Sequence, residues 1–150
     1  MVENFDNVIK SDVLGLLHEA GNYAHCTVEE LDRCVLDAFR NKKALVWASP
    51  YGHMMGFMTW AALPPDKAKM FMTDGICPSG DDYLSEEGEM WVVDFVAPYG
   101  SVGQMVRDAR AYFGQRYGDG VTFNWKRDRR STGFKLGYAI AREKKDGLVQ

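Results

Sequence analysis

Three groups of residues in this chain have the types and spacing to do chemistry. The first is Asp94, a lone carboxylate in the apolar run Met90-Trp91-Val92-Val93-Asp94-Phe95-Val96-Ala97. Burial among such neighbours disfavours its charged form, so it must either pair structurally, with an arginine as the natural partner, or serve a site. The second is His25, directly ahead of Thr27-Val28-Glu29-Glu30, a Ser/Thr-x-x-Glu helix start. The positive end of a helix dipole disfavours imidazolium there, which leaves a neutral ring able to accept a proton near neutral pH. The third is the turn Pro98-Tyr99-Gly100-Ser101-Val102-Gly103. Gly100, Ser101, Val102 and Gly103 read as a place where backbone approaches a ligand closely and the free N–H groups of a helix start meet a phosphate. An ordinary strand-to-helix connection has the same pattern.

The elements around these residues must hold them. Met90 to Ala97 reads as a strand covered on both faces, and Met105, Val106, Ala109, Tyr112 and Phe113 form one apolar face of the helix that follows the turn. Upstream, Ser11 caps a short helix carrying Val13, Leu16, Leu17 and Ala20 and ending at Gly21-Asn22. A second helix, opened by Thr27, carries Leu31, Cys34, Val35, Ala38 and Phe39. Residues 44–49 and 54–62 flank Pro50-Tyr51-Gly52-His53 and predict a hairpin. Pro64-Pro65 starts a short helix over 67–72, and residues 73–88 form a long acidic surface loop of the kind that is functional or mobile. Strands are predicted at 121–125 and 134–142, separated by the basic cluster Lys126, Arg127, Arg129 and Arg130. The order predicts an α+β fold, a mixed and mostly antiparallel sheet with helices packed on it.

Composition bounds the function. With 150 residues, 46% of them hydrophobic and 26% charged, the chain reads as one globular domain over 1–150 with loose ends at about 1–10 and 143–150. A net charge of −3 gives no global attraction to nucleic acid or acidic membranes. Cys26, Cys34 and Cys77 are odd in number and lack Cys-x-x-Cys spacing, which argues against a disulfide framework and a structural zinc site; no metal is expected. The polar start and the lack of any long apolar run predict neither a leader nor a membrane span, and a cytoplasmic setting suits the free thiols.

The segments Phe57-Met58-Thr59-Trp60-Ala61-Ala62-Leu63 and Trp91-Val92-Val93-Asp94-Phe95-Val96-Ala97-Pro98-Tyr99-Gly100 resemble the RTX toxin-activating lysine acyltransferases. Those proteins carry a Ser-Trp-Ala-x-Leu strand and a Trp-Phe-Ile-Asp-Trp-Ile-Ala-Pro-Phe-Gly strand and turn at a similar separation. The resemblance implies a fold related to the GNAT acetyltransferases, with a catalytic histidine upstream of the second helix and a catalytic aspartate in the second strand. By position these are His25 and Asp94. Asn22-Tyr23-Ala24-His25 stands where the family shows Ser-Pro-Leu-His, so His53 and His18 are the other histidines to weigh.

The activity implied is transfer of an acyl group from a thioester to a lysine ε-amine of a protein acceptor, with acyl carrier protein, or acyl-CoA, as co-substrate and no tightly bound cofactor. A lysine of pKa about 10.4 needs a base to attack near neutral pH. In such a pair His25 would take the proton, and Asp94 would orient it or hold the incoming ammonium. Arg127, Arg129 and Arg130 with Lys126 suit an acidic carrier or its phosphopantetheine phosphate, and equally a solvated loop. Met54, Met55, Met58, Met70 and Met72 read as core filler or as the lining of an acyl channel. Competing readings are a GNAT-type N-acetyltransferase using acetyl-CoA, and a non-catalytic module that engages nucleic acid or protein through Trp125 and the basic cluster. The acidic total speaks against nucleic acid. A cysteine hydrolase built on Cys26 is disfavoured because the side chains of adjacent His25 and Cys26 diverge. A homodimer stays open.

Overall fold

The computed structural model describes residues 7–21, 23, 26–118 and 120–125. The chain runs α1 (Asn7–Ala20), α2 (Val28–Leu31), a π-helical stretch (Asp32–Leu36), α3 (Asp37–Arg40), β1 (Ala44–Ala48), β2 (Met54–Leu63), α4 (Pro65–Asp74), a 3₁₀ turn (Gly80–Tyr83), β3 (Glu89–Val96), α5 (Val102–Tyr117) and β4 (Phe123–Trp125). The strands form one sheet in the order β1-β2-β3-β4. The first two pairings are antiparallel and β3 pairs with β4 in parallel, so α5 is the crossover of a βαβ unit. The fold is α+β with a mixed, mostly antiparallel sheet, as the order of predicted elements required. The strand expected at 134–142 lies outside the described residues.

Each face of the sheet is covered. On one, Leu45, Met58, Trp60, Met90, Val92 and Phe123 pack against Val106, Ala109 and Phe113 of α5. Trp60 donates its indole N–H to the Tyr117 hydroxyl at 2.9 Å, and Trp47 donates to Asp108 at 2.9 Å, so α5 is tied to the strands at its middle and at its C-terminal end. On the other face, Ala44, Phe57 and Val96 pack against Val13, Leu16 and Leu17 of α1 and Val35, Leu36 and Phe39 of the second helical segment. Ala61, Leu63 and Trp91 continue that face beneath Ala68 and Phe71 of α4 and Tyr83.

One irregularity of the pairing decides where the chemistry goes. Thr59 pairs with Asp94, but the next residue of β2, Trp60, pairs with Val92. Val93 is therefore an extra residue, a β-bulge, and a bulge reverses which residues point to which side. Before it, Met90 and Val92 face α5 and Trp91 faces α4; after it, Phe95 packs on the α5 side and Val96 on the α1 side. Asp94 thereby joins the face that carries Phe57, Thr59 and Ala61.

Local chemistry explains the helix ends and one departure from expectation. The Thr27 hydroxyl accepts from the Glu30 backbone N–H at 3.1 Å, the predicted cap. The first helix starts earlier than Ser11, at Asn7, and α4 is longer than 67–72, with Pro65 in its first turn and Gly75 in the left-handed conformation at its end. The acidic loop 73–88 is pinned rather than loose. Tyr83 is wholly buried and donates to the carbonyl of Cys34 in the π-helical stretch, where the widened helix departs from the usual ladder. Lys43, only 2% exposed, donates to the Ser85 carbonyl at 3.1 Å and pairs with Glu86 at 3.0 Å.

Candidate active site

Asp94 is 4% exposed, and each of its carboxylate oxygens is held by a hydroxyl. Tyr23 donates to Oδ1 at 2.5 Å and Thr59 donates to Oδ2 at 2.6 Å. Thr59 Oγ1 also accepts from the Asp94 backbone N–H at 3.1 Å, so one hydroxyl serves both the side chain and the main chain of the aspartate. The partners among the described residues are hydroxyls, not the guanidinium that a structural ion pair would supply. Burial raises the Asp94 carboxyl above the usual carboxylate range, and the Thr59 and Tyr23 hydrogen bonds pull it partly back. The site holds a carboxylate that is costly to ionise and is aimed by two neutral donors. Two donors also leave lone pairs free for a third partner.

The surroundings of Asp94 come from the first helices and the pinned loop. Tyr23 lies between α1 and α2, and its carbonyl accepts from the Cys26 N–H at 3.0 Å. Burial first, then the charge of Asp94, pushes the Tyr23 and Tyr83 phenols well above their ordinary value, so both remain protonated donors. Burial, with contributions from Glu30 and Asp94, raises the Cys26 thiol. Burial and the Asp94 charge raise Cys34 likewise. A nucleophilic cysteine needs the opposite shift, so the hydrolase reading loses its chemical basis.

The remaining candidates fall in different places. His25, Arg127, Arg129 and Arg130 lie outside the described residues, as does Lys126. Gly100, Ser101, Val102 and Gly103 sit where β3 gives way to α5. The Gly100 N–H bonds the Ala97 carbonyl at 3.2 Å, Ser101 takes the N-cap position in the left-handed conformation without a side-chain cap, and Val102 begins the helix. Gly103 is inside the first turn of α5, with Arg107 close enough that a Cβ would lie 3.6 Å from its Nη1. Arg107 was not among the sequence candidates, because one arginine on a charged helix face carries no signal of its own. The turn leaves the end of β3 and enters α5, and Asp94 lies on the α1 face of that strand. His18 belongs to the last turn of α1, and His53 sits at the hairpin, where it borders a groove shared with α1 and Tyr99. The methionines do not converge: Met58 is core on the α5 face, Met54 is half-buried on the other, and Met55 and Met72 are exposed.

Tyr23 and Thr59, which hold the Asp94 carboxylate, are the residues of this site that sequence reasoning missed. Thr59 was visible as a polar residue in the apolar strand 57–63, but its meeting with Asp94 depends on register. No helix among the described residues is long and apolar enough to cross a membrane. A model of the RTX toxin acyltransferase family matches residues 6–133, a span that contains α1 through β4 and every residue of the Asp94 site. No curated protein matches the chain.

Proposed function

Because the chain belongs to the RTX toxin acyltransferase family, whose members acylate toxin lysines from acyl carrier protein, we propose that it moves an acyl chain from acyl carrier protein to a lysine ε-amine, with His25 as base and Asp94 as its orienting partner. The observation that carries this reading is the Asp94 carboxylate, buried and held by the hydroxyls of Tyr23 and Thr59.

The chemistry follows from these roles. The lysine ammonium gives one proton to solvent, and as the free amine adds to the thioester carbonyl His25 takes the second proton from its nitrogen. The tetrahedral intermediate collapses by expelling the carrier's thiolate, and the imidazolium returns its proton to that sulfur. Asp94 fixes the ring and offsets the positive charge while the proton is held, an arrangement worth roughly 10²–10⁴-fold in rate. Its raised pKa reflects a dry setting, in which a charge acts more strongly than in water. In this reading the backbone N–H groups of Ser101, Val102 and Gly103, in the turn that Gly100 shapes and with Arg107 near Gly103, bind the donor phosphate, and Arg127, Arg129 and Arg130 bind the acidic carrier.

The test is intact-mass analysis of a lysine-bearing toxin fragment incubated with the protein and acyl carrier protein loaded with a long acyl chain. The expected mass gain equals one acyl chain, vanishes in His25→Ala and Asp94→Ala, and survives in His53→Ala. Transfer from acetyl-CoA but not from the carrier would replace this reading with the small-donor one.

A further inference from the structure

A groove of about 510 Å³ opens between α1, the β1–β2 hairpin and the turn after β3. Its floor is apolar, with Leu16 from α1 and Met54 from β2, both part of the cluster that also holds Phe57 and Val96. Its rim carries Asp12 and Glu19 from one side of α1 and the exposed side chains of Met55 and Tyr99 from the other. Among the described residues that line it there is no lysine or arginine.

We propose that this groove docks the lysine-bearing segment of the protein acceptor, a basic stretch of chain with apolar residues beside its lysines. The inference rests on the acyltransferase reading and adds to it the surface by which the acceptor is recognised. Charge selects this occupant. Two carboxylates on opposite ends of one helical face favour a cationic segment and repel an acidic carrier protein, so acceptor and donor approach different parts of the molecule. Apolar contact supplies the rest, because Met55, at 37% exposed, and Tyr99, at 56%, are large side chains that a partner would cover, and Tyr51, at 88%, extends the apolar surface along the hairpin turn. Methionine suits a surface that must accept more than one sequence around the lysine. Position fits as well: the groove lies on the α1 side of the sheet, the side to which the bulge turns Asp94.

Gly15 lies in the groove wall, and a Cβ there would meet nothing within 4 Å, so this position admits a side chain without disturbing the helix. The experiment measures binding by fluorescence anisotropy, without any acyl donor, to a labelled short peptide of lysines interspersed with leucine and glycine. The control probe replaces each lysine by glutamate. Wild-type protein should bind the lysine peptide and not the glutamate one. Asp12→Lys combined with Glu19→Lys should weaken binding by about tenfold or more, Gly15→Phe should weaken it by filling the groove, and Lys69→Ala, exposed on α4 and outside the groove lining, should leave it unchanged. Circular dichroism melts of the same variants show that each is folded. Equal affinity in the groove variants, or no binding of the lysine peptide by wild type, overturns the assignment. Acyl transfer measured on the same proteins stands or falls separately, since none of these binding readouts needs the reaction.

Discussion

Thr59 and Asp94 face each other across β2 and β3 through two hydrogen bonds that share one oxygen: Thr59 Oγ1 donates to the carboxylate at 2.6 Å and accepts from the Asp94 N–H at 3.1 Å. Thr59→Val keeps the shape and removes both bonds, leaving a buried N–H and a buried carboxylate oxygen short of partners. A loss of about 1–3 kcal/mol is expected in urea unfolding, with Thr59→Ser close to wild type. Equal loss in the serine and valine variants would assign the effect to the methyl group instead.

The raised Asp94 pKa makes a signed statement about pH. An acid whose folded pKa exceeds its unfolded value binds its proton more tightly in the folded state, so its contribution to stability is complete below the unfolded pKa and is lost as pH rises through the folded one. Asp94→Asn cannot ionise. Its melting temperature relative to wild type should therefore rise as pH is taken upward from about 4, through the raised pKa, and level off above it. Acyl transfer should fall by roughly 10²–10⁴-fold in the same variant. A difference in melting temperature that stays flat across this range would refute a raised pKa.

Tyr23 pulls the Asp94 pKa down by donating to Oδ1. Tyr23→Phe removes that donor and should move the carboxyl titration, followed by carbon-13 NMR of labelled aspartate, to still higher pH. Transfer should slow through kcat more than through KM, because the ring has no part in docking the acceptor. An unmoved titration would mean that another group replaces the tyrosine hydroxyl.

Gly88 precedes β3 with φ +118°, and a Cβ there would lie 2.4 Å from the Leu63 carbonyl oxygen. Gly88→Ala should cost about 1–3 kcal/mol by combining a strained backbone with a clash against main chain that cannot rotate away. Calorimetry on this variant beside Gly15→Ala, expected to stabilise by about 0.5–1 kcal/mol in mid-helix, gives opposite signs if the local geometry is right.

Much of this was legible in the sequence, and the limits have a physical cause. Asp94 stood out because an ionisable group in the apolar stretch 90–97 must be explained, and the Thr27 cap and the α5 stripe follow from local rules. Tyr23 and Thr59 were hidden because their role depends on which strand residue meets which, a property of the pairing rather than of either segment. The acidic loop 73–88 looked mobile because composition speaks for its polar residues. Its position is decided by Tyr83 alone filling the space between Ala38, Phe71 and Trp91, with Lys43 securing the far end. Among the described residues two hydroxyls, rather than an arginine, hold Asp94, and they fix a carboxylate in place without neutralising it.

The bulge at Val93 splits β3 into two halves of opposite phase. In the first half, even-numbered residues answer to helix α5; in the second, Asp94 and Val96 answer to α1 and the turn at Tyr23. The two halves can change independently. Substitutions at 90 or 92 tune the scaffold without touching the carboxylate, and substitutions around 94 to 96 reshape the site without loosening α5. Loss of Val93 alone would leave Val92 opposite Trp60 and Asp94 opposite Thr59 in an unbroken ladder, whereas loss of a residue on either side of it would shift one half against β2, so what the site requires is the register of each half rather than the bulge itself.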